Sequence, residues 1–334
     1  MQNVQVDAGS VDAPGQCQLL QEATAAPESP GQLAEEVSAL PGCCTLYSAG
    51  DYVVFVAQRQ RIPRVMNEIG RLREISFRAV GEGTGRDRDL DSFDDSYMHI
   101  FVWQRTQRQV LGAYRLCMTD VVRRQQGHAA LYTQRLFAYD AALLDELGPS
   151  IELGRSFVRP EAQGGRVLAL LWRGIGHLLA ARPRYRVLFG PVSVSSSYSE
   201  PSRQLIASRL SHGQYRHPLF EHVAARRPLA AAACPSTDTD EDVRVLSKRV
   251  SQLEPDQKGL PILVREYIKL GGQFLAFSVD PEFQNAMDGL VVVDLNRTRP
   301  RLLALHMGQD NYDRFRRYGQ ASEQPALASS SQPA

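Results

Sequence analysis

The sequence predicts an α/β fold (α+β), in which helices flank a central mixed sheet that is mostly antiparallel. Two periodicities lead to this prediction. Runs of β-branched and apolar residues with strand length alternate with stretches that repeat apolar residues every three or four positions, as amphipathic helices do. In the front half, two such strands are separated only by a short polar turn at residues 104–109, which pairs them antiparallel.

The predicted elements follow in chain order. Strands are expected at 52–57, 99–103, 110–116, 151–158, 186–194, 274–279 and 290–295. Helices are expected at 61–77, 167–181, 200–210, 242–253 and 261–270, with a short helix near Leu143. Pro201 and Pro261 suit the first turns of their helices, and Gly271 with Gly272 suits the end of the last one. The late helices and strands form a C-terminal helix-strand extension that we expect to complete the same sheet.

Composition divides the chain into three parts. Residues 1–41 are acidic and poor in large apolar side chains, so they are predicted to be a disordered tail, with a short helix at 31–40. Residues 42–315 form the predicted folded domain. Residues 316–334 form a second predicted disordered tail, and residues 229–242 resemble a loop.

Charge is distributed unevenly in a chain whose net charge is only +1. Residues 1–60 have a net charge of −6, whereas residues 121–232 carry fifteen arginines against seven acids, a net charge of +8. This basic middle could meet an acidic protein, a phosphate or an anionic membrane surface, or it could simply be a solvated face. The sequence has five cysteines in no metal-binding spacing, no apolar run long enough to span a bilayer and no secretory signal. We therefore expect a cytoplasmic protein with reduced thiols, no metal and no nucleic-acid partner.

Several familiar site motifs are absent. The acidic stretch 89–94 lacks the ligands of a calcium loop, because Phe93 and Asp94 stand where an oxygen ligand and a glycine are needed. Residues 81–85, Gly-Glu-Gly-Thr-Gly, do not continue as a dinucleotide loop, and no nucleophile elbow is present. No histidine has an acid five residues later, which argues against the dyad of glycerolipid O-acyltransferases.

A set of charged residues remains that contains no covalent nucleophile. Its members are Arg73, Asp89, Asp91, Asp94, Arg115, Glu152 and Arg155. Glu152 and Arg155 lie three apart on a predicted strand, so they point to opposite faces unless a bulge intervenes. The set is either a catalytic and binding site or an ion-pair network that stiffens the front of the sheet.

The same residues carry a family resemblance. The order Arg73-x-x-x-Phe77, Asp89-x-Asp91-x-x-Asp94, Arg115-Leu116 and Glu152-x-x-Arg155 resembles the acyl-homoserine-lactone synthases of the GCN5-related N-acyltransferase (GNAT) superfamily. The motifs around His99, Gly112 to Leu116 and Glu152 to Val158 are similar to those of the ornithine-lipid N-acyltransferases, also labelled hemolysin-like acetyltransferases. The tail from Leu260 to Gly272, together with Asp280 and Asp288, resembles that family too. The resemblance covers roughly residues 45–310.

The resemblance implies a fold, a reaction and partners. It implies a sheet splayed open to admit a phosphopantetheine arm, and formation of an amide between a fatty acyl chain and an amino acid amine such as ornithine, the first step of lyso-ornithine-lipid synthesis. The donor would be an acyl carrier protein thioester, or acyl-coenzyme A, used as a substrate with no bound cofactor. The Arg-rich surface of residues 155–227 would dock the acidic carrier protein, and a peripheral contact at the inner membrane face stays open.

The resemblance and the charges together suggest roles. Glu152 is the predicted base that deprotonates the acceptor, and Asp94 or Asp91 would hold its ammonium group. Acceptor binding is assigned to Arg73, Asp89, Arg115, Arg155 and His99. Acyl-donor binding is assigned to Phe157, Val158, Gln163, Gly164 and Gly165. The alternatives are a non-catalytic module that binds an acyl carrier or lipid, an acyl-homoserine-lactone synthase, and, ranked lowest, a peripheral lytic protein.

Overall fold

The computed structural model describes residues 21–229 and 242–323, with the side chains described as far as residue 319. The predictions for residues 1–20, 230–241 and 324–334 lie outside the described residues. The strands are β1 Thr45–Ala49, β2 Tyr52–Gln58, β3 Met98–Gln104, β4 Gln109–Met118, β5 Phe137–Ala138, β6 Ser150–Val158, β7 Val187–Val194, β8 Ala224–Ala225, β9 Gln273–Asp280 and β10 Ala286–Asp294. The helices are α1 Pro30–Ser38, α2 Pro63–Arg78, α3 Phe93–Ser96, α4 Thr119–Gln126, α5 Ala141–Leu147, α6 Arg166–Ala181, α7 Glu200–Leu210, α8 Val243–Leu253, α9 Ile262–Lys269, α10 Pro300–Met307 and α11 Gln309–Glu323.

One large sheet organises the described part of the chain. Its strand order is β1-β2-β3-β4-β6-β7-β10-β9, and β5 pairs separately with β8. Within the large sheet β6 and β7 are parallel, while the other neighbours are antiparallel. The predicted mixed, mostly antiparallel sheet is therefore confirmed. The two late strands extend it beyond β7, as expected for the C-terminal extension.

Helices cover both faces of this sheet. On one face, α6 packs against strands β1 to β4 through apolar side chains that recur along one side of the helix, such as Leu171, Ile175 and Leu178. Full burial of each such side chain contributes roughly 1.5–3 kcal/mol. Gly174 allows close approach, because a β-carbon there would come within 2.5 Å of a Val54 methyl group. On the other face, α1 and α2 close a second apolar cluster.

Two predicted boundaries differ from the structure. The short helix expected at 31–40 is present as α1, and its Leu33 and Val37 are buried beside α2, so the packed region begins before the predicted limit at residue 41. At the other end, α11 crosses the predicted limit at residue 315 and continues to Glu323. Leu33 and Val37 are only one apolar pair in an acidic stretch, a signal too weak to outweigh its composition. Helices α3, α4, α10 and α11 and strands β1, β5 and β8 were not predicted, and α3 lies in a stretch, residues 81–96, that was expected to be a loop.

No helix in residues 21–229 or 242–323 combines the length and apolarity needed to cross a bilayer.

Candidate active site

The two parallel strands at the centre of the sheet separate halfway along their length. β6 and β7 pair at Ser150–Val187, Ile151–Leu188 and Glu152–Phe189, and no further pairs follow in the described chain. At the point of separation, a β-carbon on Gly190 would overlap the carbonyl oxygen of Leu153. The next residue, Pro191, has no N–H to offer β6. Gly190 and Pro191 therefore mark the start of an opening between β6 and β7, which we call the strand cleft.

A bulge in β6 turns its residues towards the strand cleft. Ala113 of β4 pairs with Phe157 and Arg115 pairs with Gly154, so β6 has one extra residue in this interval. Arg155 adopts a positive φ of 48° there. As a result Arg155 and Glu152 both contact Tyr132, on the same face of the sheet. The bulge thus removes the alternation that would have placed these two side chains on opposite faces.

The strand cleft has two chemically different ends. Its acidic end contains Glu82, Asp280 and Asp288 beside Arg155 and Ser193. Its opposite end contains the Tyr114 hydroxyl, Ser156, and Leu263 and Tyr267 of α9. The remaining lining residues are Phe77, Tyr132, Gly154, Pro191, Val192 and Phe283. Because α2 and α9 pack against opposite faces, the opening connects the two sides of the sheet.

Glu82 is the acid in the strand cleft that is best suited to accept a proton near neutral pH. Burial raises the pKa of its carboxyl group to about 7, although a hydrogen bond from the Ser193 hydroxyl and the charge of Arg155 oppose the shift. The Ser193 Oγ to Glu82 Oε2 distance is 2.8 Å. Glu82 lies in the Gly-Glu-Gly-Thr-Gly loop, which the buried carboxylate of Glu74 holds by accepting hydrogen bonds from the amides of Thr84 and Gly85.

Asp280 and Asp288 add two more carboxyl groups from the C-terminal extension. Burial raises the pKa of Asp288 well above its ordinary value, and the nearby acids Asp280 and Glu82 raise it further. Burial also raises the pKa of Asp280. Three buried carboxyl groups thus share one region, and the adjacent cation, Arg155, already pairs with Asp89 and Asp91. Such a cluster favours a ligand that brings positive charge.

Tyr114 brings a hydroxyl to the opposite end of the strand cleft. The side chain is fully buried, and burial raises its pKa to about 12, so the hydroxyl stays protonated. It lies beside Ser156 and Tyr267, yet within the described residues its oxygen has no hydrogen-bond partner of good geometry. A buried hydroxyl in this state is available to a ligand.

Most of the charged residues predicted for the site form a buried network next to the strand cleft. Arg73 donates to Asp94 at 2.8 Å and lies 3.3 Å from the His99 ring. Burial would raise the pKa of Asp94, but Arg73 and Arg115 hold it well below its usual range. Burial and the charge of Arg73 together lower the pKa of His99 to about 3, so its ring is neutral.

The network continues through the other predicted residues. Arg115 pairs with Asp91 at 2.5 Å and with Asp94 at 3.3 Å. Arg155 contacts Asp89 at 3.2 Å, Asp91 at 3.4 Å and the Tyr132 hydroxyl at 2.8 Å. The sequence grouped these residues correctly, but their charges are largely committed to one another. The arrangement matches the ion-pair alternative, with Arg155 reaching the strand cleft.

Glu152, the predicted base, does not line the strand cleft. It is 1% exposed, and its oxygens accept hydrogen bonds from the backbone amide of Thr133 at 2.7 Å, from the amide of Tyr132 at 3.3 Å and from the Tyr97 hydroxyl. These donors anchor the turn at Tyr132–Arg135 to β6. A carboxylate so engaged has little freedom to receive a substrate proton, so the geometry assigns Glu152 an anchoring position. Asp91 and Asp94 likewise face arginines and do not line the strand cleft.

The residues predicted to bind the donor lie in two places. Phe157 is buried in the apolar cluster beneath α2, and Val158 packs against the cluster on the other face. Gln163, Gly164 and Gly165 are exposed and immediately precede α6. Gly164 and Gly165 have φ values of 125° and 89°, which other residues rarely adopt. The segment between β6 and α6 therefore leaves the first N–H groups of α6 without a side-chain cap.

Sequence reasoning missed Glu82 and Tyr114, and it used Asp280 and Asp288 only as marks of resemblance. Glu82 had one available signal, a charged residue flanked by glycines in a loop that had been considered only as a nucleotide motif. Tyr114 belongs to the quoted Gly112–Leu116 motif. The aspartates come from strands far along the chain, and their proximity to Glu82 depends on the sheet order.

Comparisons with known proteins show which proteins this chain is similar to. A family model described as an acetyltransferase (GNAT) domain matches residues 72–173. A glycine N(alpha)-acyltransferase of Bacteroides thetaiotaomicron is 33% identical over 264 residues, which cover 72% of this chain and 77% of that protein. An L-ornithine N(alpha)-acyltransferase of Brucella abortus is 26% identical over 265 residues, covering 71% and 84% of the two chains. A solved structure of BjaI, a CoA-dependent acyl-homoserine lactone synthase, has a TM-score of 0.40 and 12% identity, covering 79% of this chain and 99% of that one.

The fold and the matching family model define a GNAT-type acyltransferase. The chain belongs to the family of N-acyltransferases that includes the Bacteroides glycine N(alpha)-acyltransferase. The family resemblance inferred from the motifs is thereby confirmed, and the protein is an acyltransferase.

Proposed function

We propose that this enzyme transfers a fatty acyl chain from an acyl carrier protein thioester to the α-amino group of an amino acid, forming an N-acylated, lyso-ornithine-type lipid. One observation carries the proposal: the strand cleft joins an opening between β6 and β7 to a cluster of three carboxyl groups, Glu82, Asp280 and Asp288. An acyl transfer to an amine needs both features, a path for an extended thioester arm and acids that bind and deprotonate an ammonium group.

The donor would occupy the edges that β6 and β7 leave unpaired. A pantetheine arm contains two amide groups, which can add to a free strand edge as a short strand does. The bulge at Arg155 and Ser156 would bring backbone groups to the thioester carbonyl, where each donor to a developing oxyanion contributes about 3 kcal/mol. The open N-terminus of α6, after Gln163, Gly164 and Gly165, would receive the phosphate of the arm.

The acceptor would bind at the acidic end. Its ammonium group would meet Glu82, Asp280 and Asp288, and its carboxylate would meet the guanidinium of Arg155, which Asp89, Asp91 and Tyr132 hold in place. The carboxyl groups outnumber the nearby cations, which favours an acceptor with a second ammonium group. Ornithine fits this requirement, and the 26% identity to an ornithine acyltransferase supports it.

The chemical step then needs one base and one path for a proton. Glu82 would take a proton from the α-ammonium group, and the free amine would attack the thioester carbonyl. The C–N bond forms and the C–S bond breaks, and the remaining excess proton on nitrogen passes to the leaving thiolate. A hydrogen bond from the Tyr114 hydroxyl would stabilise the sulfur as charge develops on it. Glu152 and the network of Arg73, Asp94 and His99 would take no part in the chemistry and would instead hold the neighbouring strands and turns in position.

Glycine is the second candidate acceptor. The glycine N(alpha)-acyltransferase is the more similar of the two named relatives, at 33% identity. Glycine has no side chain, so it also needs the least room in a cleft where the rings of Phe77 and Phe283 pack edge to face, with centroids 6.1 Å apart. The two candidates differ in charge, which makes them easy to distinguish.

The test is a panel of acceptors with one donor. The purified full-length enzyme is mixed with a long-chain acyl carrier protein thioester and with ornithine, lysine, glycine, alanine or S-adenosylmethionine, and thiol release and product mass are recorded. We expect an N-acyl amino acid, with ornithine giving the highest kcat/KM. A preference for glycine would move the proposal to the second candidate. A lactone product, or thiol release that no amine stimulates, would reject amide formation on an amino acid.

A further inference from the structure

A wide basic groove lies on the C-terminal extension, outside the strand cleft. It runs between α8 and α9 and has a volume of about 1300 Å³. In the described part of the chain its lining contains one carboxylate, Asp242, and six cationic side chains: Arg244, Lys248, Arg265, Lys269, Arg297 and Arg299. Two of the three lysines in the whole sequence are among them. We call this surface the α8–α9 groove.

Within the described residues, most cations of the α8–α9 groove are not paired with an acid. Lys269 pairs with Glu266 at 2.5 Å. Among the described residues, Arg244, Lys248 and Arg265 form no ion pair, and all three are exposed. Cations of one sign along a concave surface repel one another and focus an attractive field on an approaching anion.

A single helix, α9, separates the α8–α9 groove from the strand cleft. Leu263 and Tyr267 of α9 line the strand cleft, whereas Arg265 and Lys269, two positions further along, line the groove. α9 is therefore the wall between the two, and its two sides have opposite character, one apolar and hydroxyl-bearing and the other cationic.

The end of the α8–α9 groove also reaches the open end of the strand cleft. Gly259, which lines the groove, accepts a hydrogen bond at 2.8 Å from the hydroxyl of Tyr198, just after β7. In the same loop, Lys258 donates to the Ser197 carbonyl at 3.0 Å. β7 ends at Val194, where the strand cleft is open. A partner in the groove would hold a flexible arm close to the entrance.

We infer that the α8–α9 groove docks the acidic helical surface of the acyl carrier protein and directs its thioester arm over the N-terminal end of α9 into the strand cleft. This inference rests on the proposed function, because it assumes a carrier-bound donor. It moves the docking surface away from residues 155–227, where Arg203 and Arg209 are buried and Arg155 is only partly exposed. The concave shape favours a convex protein helix over a flat anionic bilayer.

The experiment compares two donors that carry the same acyl chain, the carrier protein thioester and its small N-acetylcysteamine analogue. The test variant is Arg244→Glu with Lys248→Glu, two exposed residues of α8. The control variant is Arg182→Glu with Arg317→Glu, which changes the net charge equally at exposed sites, one just after α6 and the other on α11. We expect the test variant to lose at least tenfold in kcat/KM for the carrier-bound donor through a higher KM, with the small donor unaffected. The control variant should retain the wild-type values.

Each other outcome has a definite meaning. An unchanged KM for the carrier-bound donor, or equal losses in both variants, would overturn the docking site while acyl transfer from the small donor remains intact. Transfer to no amine from either donor would instead reject the proposed function itself. The last measurement is binding of the enzyme to vesicles of phosphatidylglycerol in phosphatidylcholine. If the test variant no longer binds these vesicles but uses the carrier-bound donor as well as the wild type does, the docking inference is wrong and the groove binds a membrane surface.

Discussion

Two buried glutamates, Glu152 and Glu82, differ in their surroundings, and this difference supports the proposal that Glu82 acts as the base. Glu152 accepts hydrogen bonds from two backbone amides and a tyrosine hydroxyl, so its charged form is well satisfied. Glu82 accepts one hydrogen bond, from Ser193, and burial raises its pKa to about 7. A general base works best when its pKa is near the working pH, which favours Glu82.

Isosteric substitution separates these two roles. We expect Glu82→Gln to lower kcat by about a hundredfold, the usual contribution of a positioned base, and to leave the melting temperature at least as high as that of the wild type. We expect Glu152→Gln to lower the melting temperature. Tyr132 and Thr133 donate to different oxygens of Glu152, so the new NH2 group would face one of these two N–H donors, at a cost of about 1–3 kcal/mol for the unsatisfied group. Thermal unfolding and steady-state kinetics are measured on both variants. A stable Glu152→Gln enzyme with lost activity, beside a fully active Glu82→Gln enzyme, would restore Glu152 as the base.

The same assignment has a pH signature. Because Glu82 must be deprotonated to act, kcat/KM of the wild type, which reports ionisations of the free enzyme, should rise with pH through about 7, and this inflection should be absent in Glu82→Gln. Stability should change in the opposite sense. A carboxyl group whose pKa is raised from 4.5 to about 7 on folding stabilises the folded state below 4.5 and loses this advantage as the pH rises through 7. Glu82→Gln should therefore gain stability relative to the wild type at pH 8, by roughly 3 kcal/mol at most, and not at pH 4. A pH-independent difference would contradict the raised pKa.

Among the secondary-structure elements, the separation of β6 from β7 is the feature that creates the strand cleft. The sequence predicted both strands well, because each is an apolar run bounded by turn residues. The sequence could not predict whether β6 has a bulge at Arg155. The extra residue is recognised only from the pairing of β6 with β4, which the pattern of a single strand does not show. The Gly190–Pro191 pair signals an interruption, but only the neighbouring Leu153 carbonyl explains its position.

Replacing one glycine on each of the two strands with alanine tests this geometry. Gly190→Ala should destabilise the fold markedly, because the new methyl group would overlap the backbone of β6 where the strands are still close. Gly154→Ala is the matched control on the facing strand, where a β-carbon has no atom within 4 Å and the backbone is not strained. We expect a clear drop in the urea midpoint for the first variant and a change within about 0.5 kcal/mol for the second. Equal effects would mean that close approach at Gly190 does not determine where the sheet opens.

Over the whole molecule, the site is assembled from parts that are far apart in sequence. The matched GNAT domain at 72–173 supplies Glu82, Tyr114 and Arg155, and the C-terminal extension supplies Asp280, Asp288 and Tyr267. The sequence could therefore predict the buried charge network, whose members lie in recognisable motifs. It could not predict the acidic cluster, because that cluster exists only once β10 lies beside β7. Contacts of α9 with β7 and of α8 with α7 place the α8–α9 groove next to the strand cleft.

The salt dependence of the reaction tests this division between chemistry in the strand cleft and recognition on the surface. Exposed charges are screened over about 10 Å at 0.1 M salt, whereas the buried acids of the strand cleft are screened much less. The KM for the carrier-bound donor should therefore rise steeply between about 0.05 and 0.5 M sodium chloride, and the KM for the N-acetylcysteamine thioester should stay nearly constant. The Arg244→Glu, Lys248→Glu variant should show a shallower slope with the carrier, because part of the attraction has already been removed. A wild-type KM for the carrier that is independent of salt would exclude electrostatic docking, and a parallel rise for both donors would place the salt effect in the strand cleft instead.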